Sequence, residues 1–300
     1  MLTIDQMDDI NGLHIIHVSG TNGKGSVCAF TASFLQTHQQ VNGYPRKIGL
    51  YTSPHIKSIR ERIQINGAPI SENVFRERFF QVWDKLPKEA SSELDIPRYL
   101  QLLTLVSYHV FITEHVDVAV YETHLGGEFD ATNIVVNPLA TAVTRVAEDH
   151  IHLLGPTIED IAWHKGGIFK SGAPALSSFQ SPPVARILQQ RAEEKTVQLE
   201  FIGTNPELDG LAYSWLPEVQ KANCSLALTL TRVYLEARGS GSDKLLEVTE
   251  LLAACKQPVW PGRFQHIKKG SLQLYIDGAH NKPSIPHAVH WFADSIANQK

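Results

Sequence analysis

The sequence predicts an α/β protein: a doubly wound, mostly parallel sheet built on a phosphate-binding loop, followed by an incomplete second α/β unit. Three observations predict it. The run Ile15-Ile16-His17-Val18 reads as a buried strand and passes through Gly20-Thr21-Asn22-Gly23-Lys24-Gly25-Ser26 into a helical stretch without breakers. From residue 47 to residue 202, apolar runs bounded by turn residues alternate with helical segments, the pattern of strand–helix–strand units. Past residue 258 only one hairpin and one helix follow, too little to close a domain.

The glycine loop organises the rest. Glycines let backbone N–H groups point inward at phosphate oxygens, the following helix adds its N-terminal partial charge, and Lys24 adds a full one. Ser26 offers a hydroxyl to Mg²⁺ or to a phosphate. The spacing departs from the common G-x-x-x-x-G-K-[ST], because Val18 stands at the first glycine position and Gly25 separates Lys24 from Ser26. The plain alternative is an ordinary glycine-rich turn. The helix that follows places Val27, Phe30 and Phe34 on one face.

Lys47 to His55 predicts a second strand that ends at Ser53-Pro54, since proline cannot continue a central ladder. Arg60 to Ile65 alternates polar and apolar residues and predicts a half-exposed strand, with a turn at Asn66-Gly67. Ser71 and Asn73 begin a helix carrying Phe75, Phe79, Val82 and Leu86, stopped by Pro87; residues 88–95 are a polar loop, and Tyr99 to His115 is a long helix. Strands are expected at Val116–Glu122, Pro138–Thr144, Ala173–Ser178 and Leu199–Ile202. Helices are expected from Thr157, a cap, to Phe169, interrupted at Gly166-Gly167, and from Val184 to Lys195. Further helices run from Lys221 to Arg238 and up to Cys255, separated by the interruption at residues 239–242. Pro258 to Gly262 reads as a linker, then come a hairpin turning at Lys269-Gly270 and a helix from Pro286 to Ala297. The expected domains are 1–257, which binds nucleotide, and 258–300, the start of a second domain cut short.

Composition narrows the function. With 27 basic and 31 acidic residues the net charge is −4, which gives no electrostatic case for nucleic acid or an anionic membrane. No stretch approaches the roughly 18 apolar residues of a membrane span. The 3 cysteines lack metal spacing and form no disulfide framework, so a reducing compartment is expected. The N-terminal segment has no signal core and no Arg-rich transit pattern, so a cytoplasmic location is expected, a mitochondrial form staying open if residues precede it.

In open parallel sheets, ligands sit beyond the carboxyl ends of the strands. The sequence puts Lys24, Ser26, Ser53, His55, Glu122 and the Asp149-His150 pair there. Ser53 and Glu122 offer the hard oxygens that Mg²⁺ prefers, and His150 a nitrogen for a second ion. Each has an ordinary alternative, a solvated strand end or a hydrogen-bonded loop histidine. Gly126 to Asn133 is a second glycine turn, read either as a close approach to substrate or as a tight polar turn. Lys165 reads on its own as a surface lysine laid along a helix.

Five stretches, GTNGKGS (20–26), YTSPHIKSIRERIQING (51–67), YETHLGGEFDATN (121–133), EDHIHLLGPTIEDIAWHKGGIFKSGAPA (148–175) and WPGRFQ…YIDGAHN (260–281), occur in one order. Over nearly its whole length the chain resembles the folylpolyglutamate synthases of the Mur ligase superfamily, particularly the eukaryotic form. The resemblance implies a Mur ligase central domain and an ATP-dependent amide ligase. In such enzymes ATP phosphorylates a carboxylate, the γ-carboxyl of a folate, and the amine of L-glutamate attacks the acyl phosphate. By position, Gly23, Lys24, Gly25 and Ser26 hold ATP phosphates, and Asn223, Arg263 and Asp277 contact the nucleotide. Ser53, Glu122 and His150 match the family's ligands to Mg²⁺, as one ion or two. Lys24, Lys165 and His280 take the catalytic places: Lys165 matches a lysine that is carbamylated in relatives, and His280 lies near the incoming glutamate. A monovalent cation is admitted, and a monomer acting on small molecules is expected.

Departures leave alternatives open. Thr123-His124 stands where the family has a small pair after the acidic residue, and Arg145 to His150 carries extra charge. The family's helix before the glycine loop is not evident here, and relatives continue well past Asn281. A divergent ligase for another carboxylic acid and a truncated, non-catalytic nucleotide-binding protein therefore stand beside the folate reading.

Overall fold

The computed structural model describes residues 4–86, 96–209, 216–239, 247–256 and 260–297. Pro87 as a helix stop, the loop 88–95, the interruption at 240–242, Pro258 and Val259 of the linker and the boundary at 257/258 lie outside the described residues. In chain order the first half runs α1 (Ile4–Asn11), β1 (Ile16–Ser19), α2 (Lys24–Asn42), β2 (Ile48–Tyr51), β3 (Ile63–Ile65), β4 (Ala68–Pro69), α3 (Glu72–Trp83), α4 (Tyr99–Thr113) and β5 (Val118–Glu122). Next come β6 (Ala140–Val143), α5 (Ile151–Leu154), α6 (Ile158–Gly166), β7 (Ala175–Ser178), α7 (Pro182–Glu194), β8 (Leu199–Ile202), α8 (Pro206–Asp209) and α9 (Glu218–Ala237). The last elements are α10 (Val248–Lys256), β9 (Gln265–Lys269), β10 (Leu272–Ile276) and α11 (Ile285–Ala297).

Eight strands form one sheet in the order β4-β3-β2-β5-β1-β6-β7-β8, with every neighbouring pair parallel except β2/β3 and β3/β4. The centre is set by burial: every residue of β1, β2, β5, β6 and β7 is buried, as apolar runs covered on both faces require. On one face, Ile16 and Val18 of β1 join Val118 and Val120 of β5 under α2, α9 and α10. On the other, Ile15, Ala119 and Tyr121 pack beneath α4, while Val143, Ala175 and Leu199 pack beneath α6 and α7. Between those two clusters β1 presents buried His17 and Ser19 on that second face, and both hold the loop after β5: His17 Nε2 meets Thr132 Oγ1 at 2.7 Å and Ser19 Oγ donates to the Gly126 carbonyl at 2.5 Å. Burial pushes His17 down to about 4, so its imidazole is neutral.

Two expectations are corrected. Residues 59–62 are a 3₁₀ turn, not part of a strand. Glu61 accepts the backbone N–H of Ile56 and Ser58 at 2.8 Å each, a local network that outcompetes ladder pairing and leaves only Ile63–Ile65 in the sheet. The chain also does have a helix before the glycine loop, α1, anchored by Ile10, 1% exposed, and followed by buried Leu13. Its tie to the core is tertiary, so a short acidic window could not announce it.

The loop after β5 turns on Asp130. Its carboxylate accepts the N–H groups of His124, Leu125 and Thr132 and the Thr132 hydroxyl, at 2.6–3.0 Å. Burial pushes the Asp130 carboxyl up, but the His124 imidazole, its Nδ1 3.4 Å from Asp130 Oδ1, and then these hydrogen bonds outweigh it and hold the group down at about 2, below its ordinary 3.8. A depressed carboxyl stabilises the fold above the unfolded value and loses that contribution as pH falls from about 4 through about 2, here about 2 kcal/mol. Asp130→Asn is expected to lower the melting temperature by about 4–8 °C at pH 7 and to flatten the acid limb of the stability curve. Thermal melts between pH 7 and 2.5 check both; an unchanged acid limb counts against the Asp130 assignment.

Candidate active site

Loops at the carboxyl ends of β1, β2, β5, β6, β7 and β8 converge on a cavity of about 740 Å³, where an open parallel sheet places its ligands. Gly23 is the cap of α2, at φ 94°, so Lys24 is the first helical residue. The first helical hydrogen bond is Val27 N–H to Gly23. The N–H groups of Lys24, Gly25 and Ser26 therefore have no helical carbonyl within reach, which makes the turn an anion cradle. Thr21 and Asn22 are held away from it, donating their N–H groups to the Arg145 carbonyl at 3.1 and 3.3 Å.

The Lys24 ammonium folds across the loop and donates to the Gly20 and Thr21 carbonyls at 3.0 and 3.2 Å. Glu122, at the end of β5, is 4% exposed, and its Oε2 accepts the Ser53 N–H at 3.0 Å. Burial raises the Glu122 carboxyl, with Lys24 opposing. Gly25, the departure from common spacing, sits where a Cβ would lie 3.3 Å from both Glu122 Oε2 and the Trp260 ring. Without a side chain there, the helix start, the carboxylate and the indole close together.

Gly23, Lys24, Gly25, Ser26, Ser53, Glu122, His150, Asn223, Arg263, Asp277 and His280 all line this cavity. They are not equally committed. Asp277 is already used locally, one carboxylate oxygen accepting Phe264 N–H and the other Ala279 N–H at 2.8 Å. His280 Nδ1 meets its neighbour's carbonyl at Gly278. His150 is half-exposed beside Asp149 at 3.8 Å. Asn281 ties the segment after β10 to the loops of β1 and β6, donating to Asn22 Oδ1 and Asp149 Oδ2 at 3.3 and 3.4 Å.

Lys165 is absent from the cavity wall, and its reading as a surface lysine is corrected. It is 4% exposed, lies behind the loop and donates to the Gly20 carbonyl at 2.8 Å, so two lysines share one acceptor. Burial, and then the Lys24 charge, hold its amine well below the usual lysine range. The Gly126 turn is likewise not a substrate approach: a Cβ on Gly127 would lie 2.6 Å from the His164 carbonyl, so that glycine lets the loop close onto α6. His124, by contrast, does line the cavity, with Nε2 2.8 Å from the Tyr51 hydroxyl, and Thr123 beside it is fully buried.

Sequence reasoning missed Gln220, one turn before Asn223 on α9. It donates to Ser26 Oγ at 3.3 Å and accepts from Asn223 at 3.1 Å. The i, i+3 spacing of two amides on one helix was the available signal. Arg145 and Gln180 also line the cavity.

For a divalent cation, the donors present are one buried carboxylate and two hydroxyls, Glu122, Ser53 and Ser26, hard oxygens of the kind Mg²⁺ takes when phosphates complete its shell. Among the described residues no three His, Cys, Asp or Glu side chains converge as a ready-made metal group. The oxygen set fits an ion that arrives with a phosphate ligand.

No family model matches the chain. It is 42% identical over 300 residues to the folylpolyglutamate synthase of Neurospora crassa and 43% over 307 residues to that of Saccharomyces cerevisiae strain FostersO; each alignment covers 97% of this chain and 56% of the relative. The chain thus spans little more than half the length of these relatives. Among solved structures, the Mycobacterium tuberculosis folylpolyglutamate synthase complexed with ADP superposes with a TM-score of 0.79 at 25% identity, covering 97% of this chain and 68% of that one. The shared sheet, the ordered motifs and this degree of identity make the chain a homologue of the folylpolyglutamate synthases of the Mur ligase superfamily.

Proposed function

We propose that this chain carries the ATP-handling part of an acid–amino-acid ligase that joins L-glutamate to the γ-carboxyl of a folate through an acyl phosphate. The observation that carries the reading is the single cavity in which the α2 N-terminus, Lys24, Glu122 and Ser53 face Asn223, Arg263 and His280. Lys24 and the first N–H groups of α2 bind and neutralise the phosphates, and Asn223 with Arg263 positions the nucleotide. Glu122, Ser53 and the Ser26 hydroxyl would hold Mg²⁺, which would supply positive charge to offset the phosphates, and His150 would offer a nitrogen to a second ion. Lys165 presents an amine that burial and Lys24 bias toward its unprotonated form, the form that adds CO₂. The substrate carboxylate takes the γ-phosphoryl group and glutamate's amine then displaces phosphate, with His280 on the amine's side. No protein nucleophile is required.

ADP release by the purified chain with Mg-ATP and glutamate, with and without tetrahydrofolate, tests this. Folate-dependent ADP and a product heavier by one glutamyl residue are expected. ADP release that depends on another acid replaces folate in the reading. Nucleotide binding with no acceptor stimulating turnover would overturn the ligase reading.

A further inference from the structure

Two thiols outside the proposed reaction meet in the core behind the cavity. Cys224 of α9 and Cys255 of α10 are 0% and 2% exposed, with their Sγ atoms 3.1 Å apart. A disulfide bond is about 2.05 Å long, so about one ångström of movement separates the pair from a covalent bond. The elements around them give that bond consequences. Cys224 follows Asn223 and lies one turn past Gln220, both on the cavity wall. Beside Cys255, the Ala254 carbonyl accepts the Ser33 hydroxyl of α2 at 2.6 Å, so α10 is also fastened to the helix that starts at the phosphate loop. The third cysteine, Cys28, is buried in α2 within the same cluster.

We propose that Cys224 and Cys255 are a redox modification site, a dithiol that a peroxide converts to a disulfide bracing α10 against the nucleotide-side helix α9. One thiolate sulfur attacks the peroxide O–O bond, giving a sulfenic acid and hydroxide. The second thiolate attacks that sulfur, the S–S bond forms and hydroxide leaves. The two thiol protons end in two waters; the thiols are oxidised by two electrons and the peroxide is reduced. The contact with Cys255, and then burial, push the Cys224 thiol up, so reaction waits on opening of α10, nine residues long.

The test treats the intact chain with hydrogen peroxide, quenches, denatures and alkylates with N-ethylmaleimide. Of the 3 cysteines, only Cys28 is expected to take the label, with peptide mapping linking 224 to 255 and a mass lower by two hydrogens. Dithiothreitol restores all the thiols. The oxidised form is expected to melt about 5 °C or more above the reduced one. In Cys224→Ala, both remaining cysteines stay labelled after the same treatment. Three labelled cysteines in the treated parent chain, a link to Cys28, or added oxygen in place of lost hydrogen overturns the site; an unchanged melting temperature overturns the bracing. None of these readouts depends on ligase activity.

Discussion

Lys24→Met is expected to lower ATP-dependent turnover by about 10²–10³-fold, with the far-ultraviolet spectrum unchanged. Three things depend on this ammonium. It is the full positive charge beside the α2 N-terminus, donating to the Gly20 and Thr21 carbonyls, and in the proposed reaction a triphosphate would take the place of those carbonyls as its partner. It opposes the burial that raises the Glu122 carboxyl. It also adds to the burial that lowers the Lys165 amine. Removing the charge shifts both neighbours upward, Glu122 toward its neutral acid and Lys165 toward ammonium, each the wrong form for its proposed role. Methionine keeps the unbranched stem and the helix propensity, so the fold survives. Nucleotide binding followed by fluorescence, beside ADP release, separates the effects: weakened binding together with slowed turnover is expected. Turnover within tenfold of the parent would remove Lys24 from phosphoryl transfer.

What the sequence displayed and what it concealed divide along physical lines. Leu199–Ile202 was legible to the residue, and the ends of β1, β2, β5 and β6 nearly so, because central strands must be apolar and glycine or proline must punctuate them. The loop Gly20–Ser26 was legible for the same reason. Positions whose meaning depends on a partner far along the chain were not. Lys165 looks like any helical lysine until α6 carries it behind the loop, 2.8 Å from the Gly20 carbonyl and 145 positions away in sequence. Gly127 looks like a ligand-approach glycine until the His164 carbonyl is seen beside it. Arg60–Arg62 alternates like a strand, but the Ser58–Glu61 capping box consumes the polar groups that alternation was meant to expose. Local rules found the scaffold and the phosphate cradle; tertiary contacts assigned the buried charges.

Gly20→Ala is expected to cost about 3–5 kcal/mol of stability, the sum of strain and overpacking. Gly20 has φ 142°, and a Cβ there would lie 1.9 Å from Thr144 Oγ1 and 2.9 Å from Thr144 Cβ. Thr144 cannot simply step aside. Its N–H donates to the Ser19 carbonyl at 2.8 Å, joining the ends of β6 and β1, and its hydroxyl donates to the Asn22 carbonyl at 2.8 Å. The Gly20 carbonyl also receives both lysines, so any tilt of this peptide moves the two ammonium or amine groups next to the cradle. Gly43 supplies the control, because it is also left-handed, at φ 72°, but a Cβ there meets nothing within 4 Å. Gly43→Ala should therefore cost only the backbone term, about 1 kcal/mol. Denaturant melts of the two variants side by side measure the difference, about 2–4 kcal/mol, as the part due to Thr144. Equal losses would mean that the β1–β6 junction yields freely and that the close packing at Gly20 does not hold the phosphate loop in place.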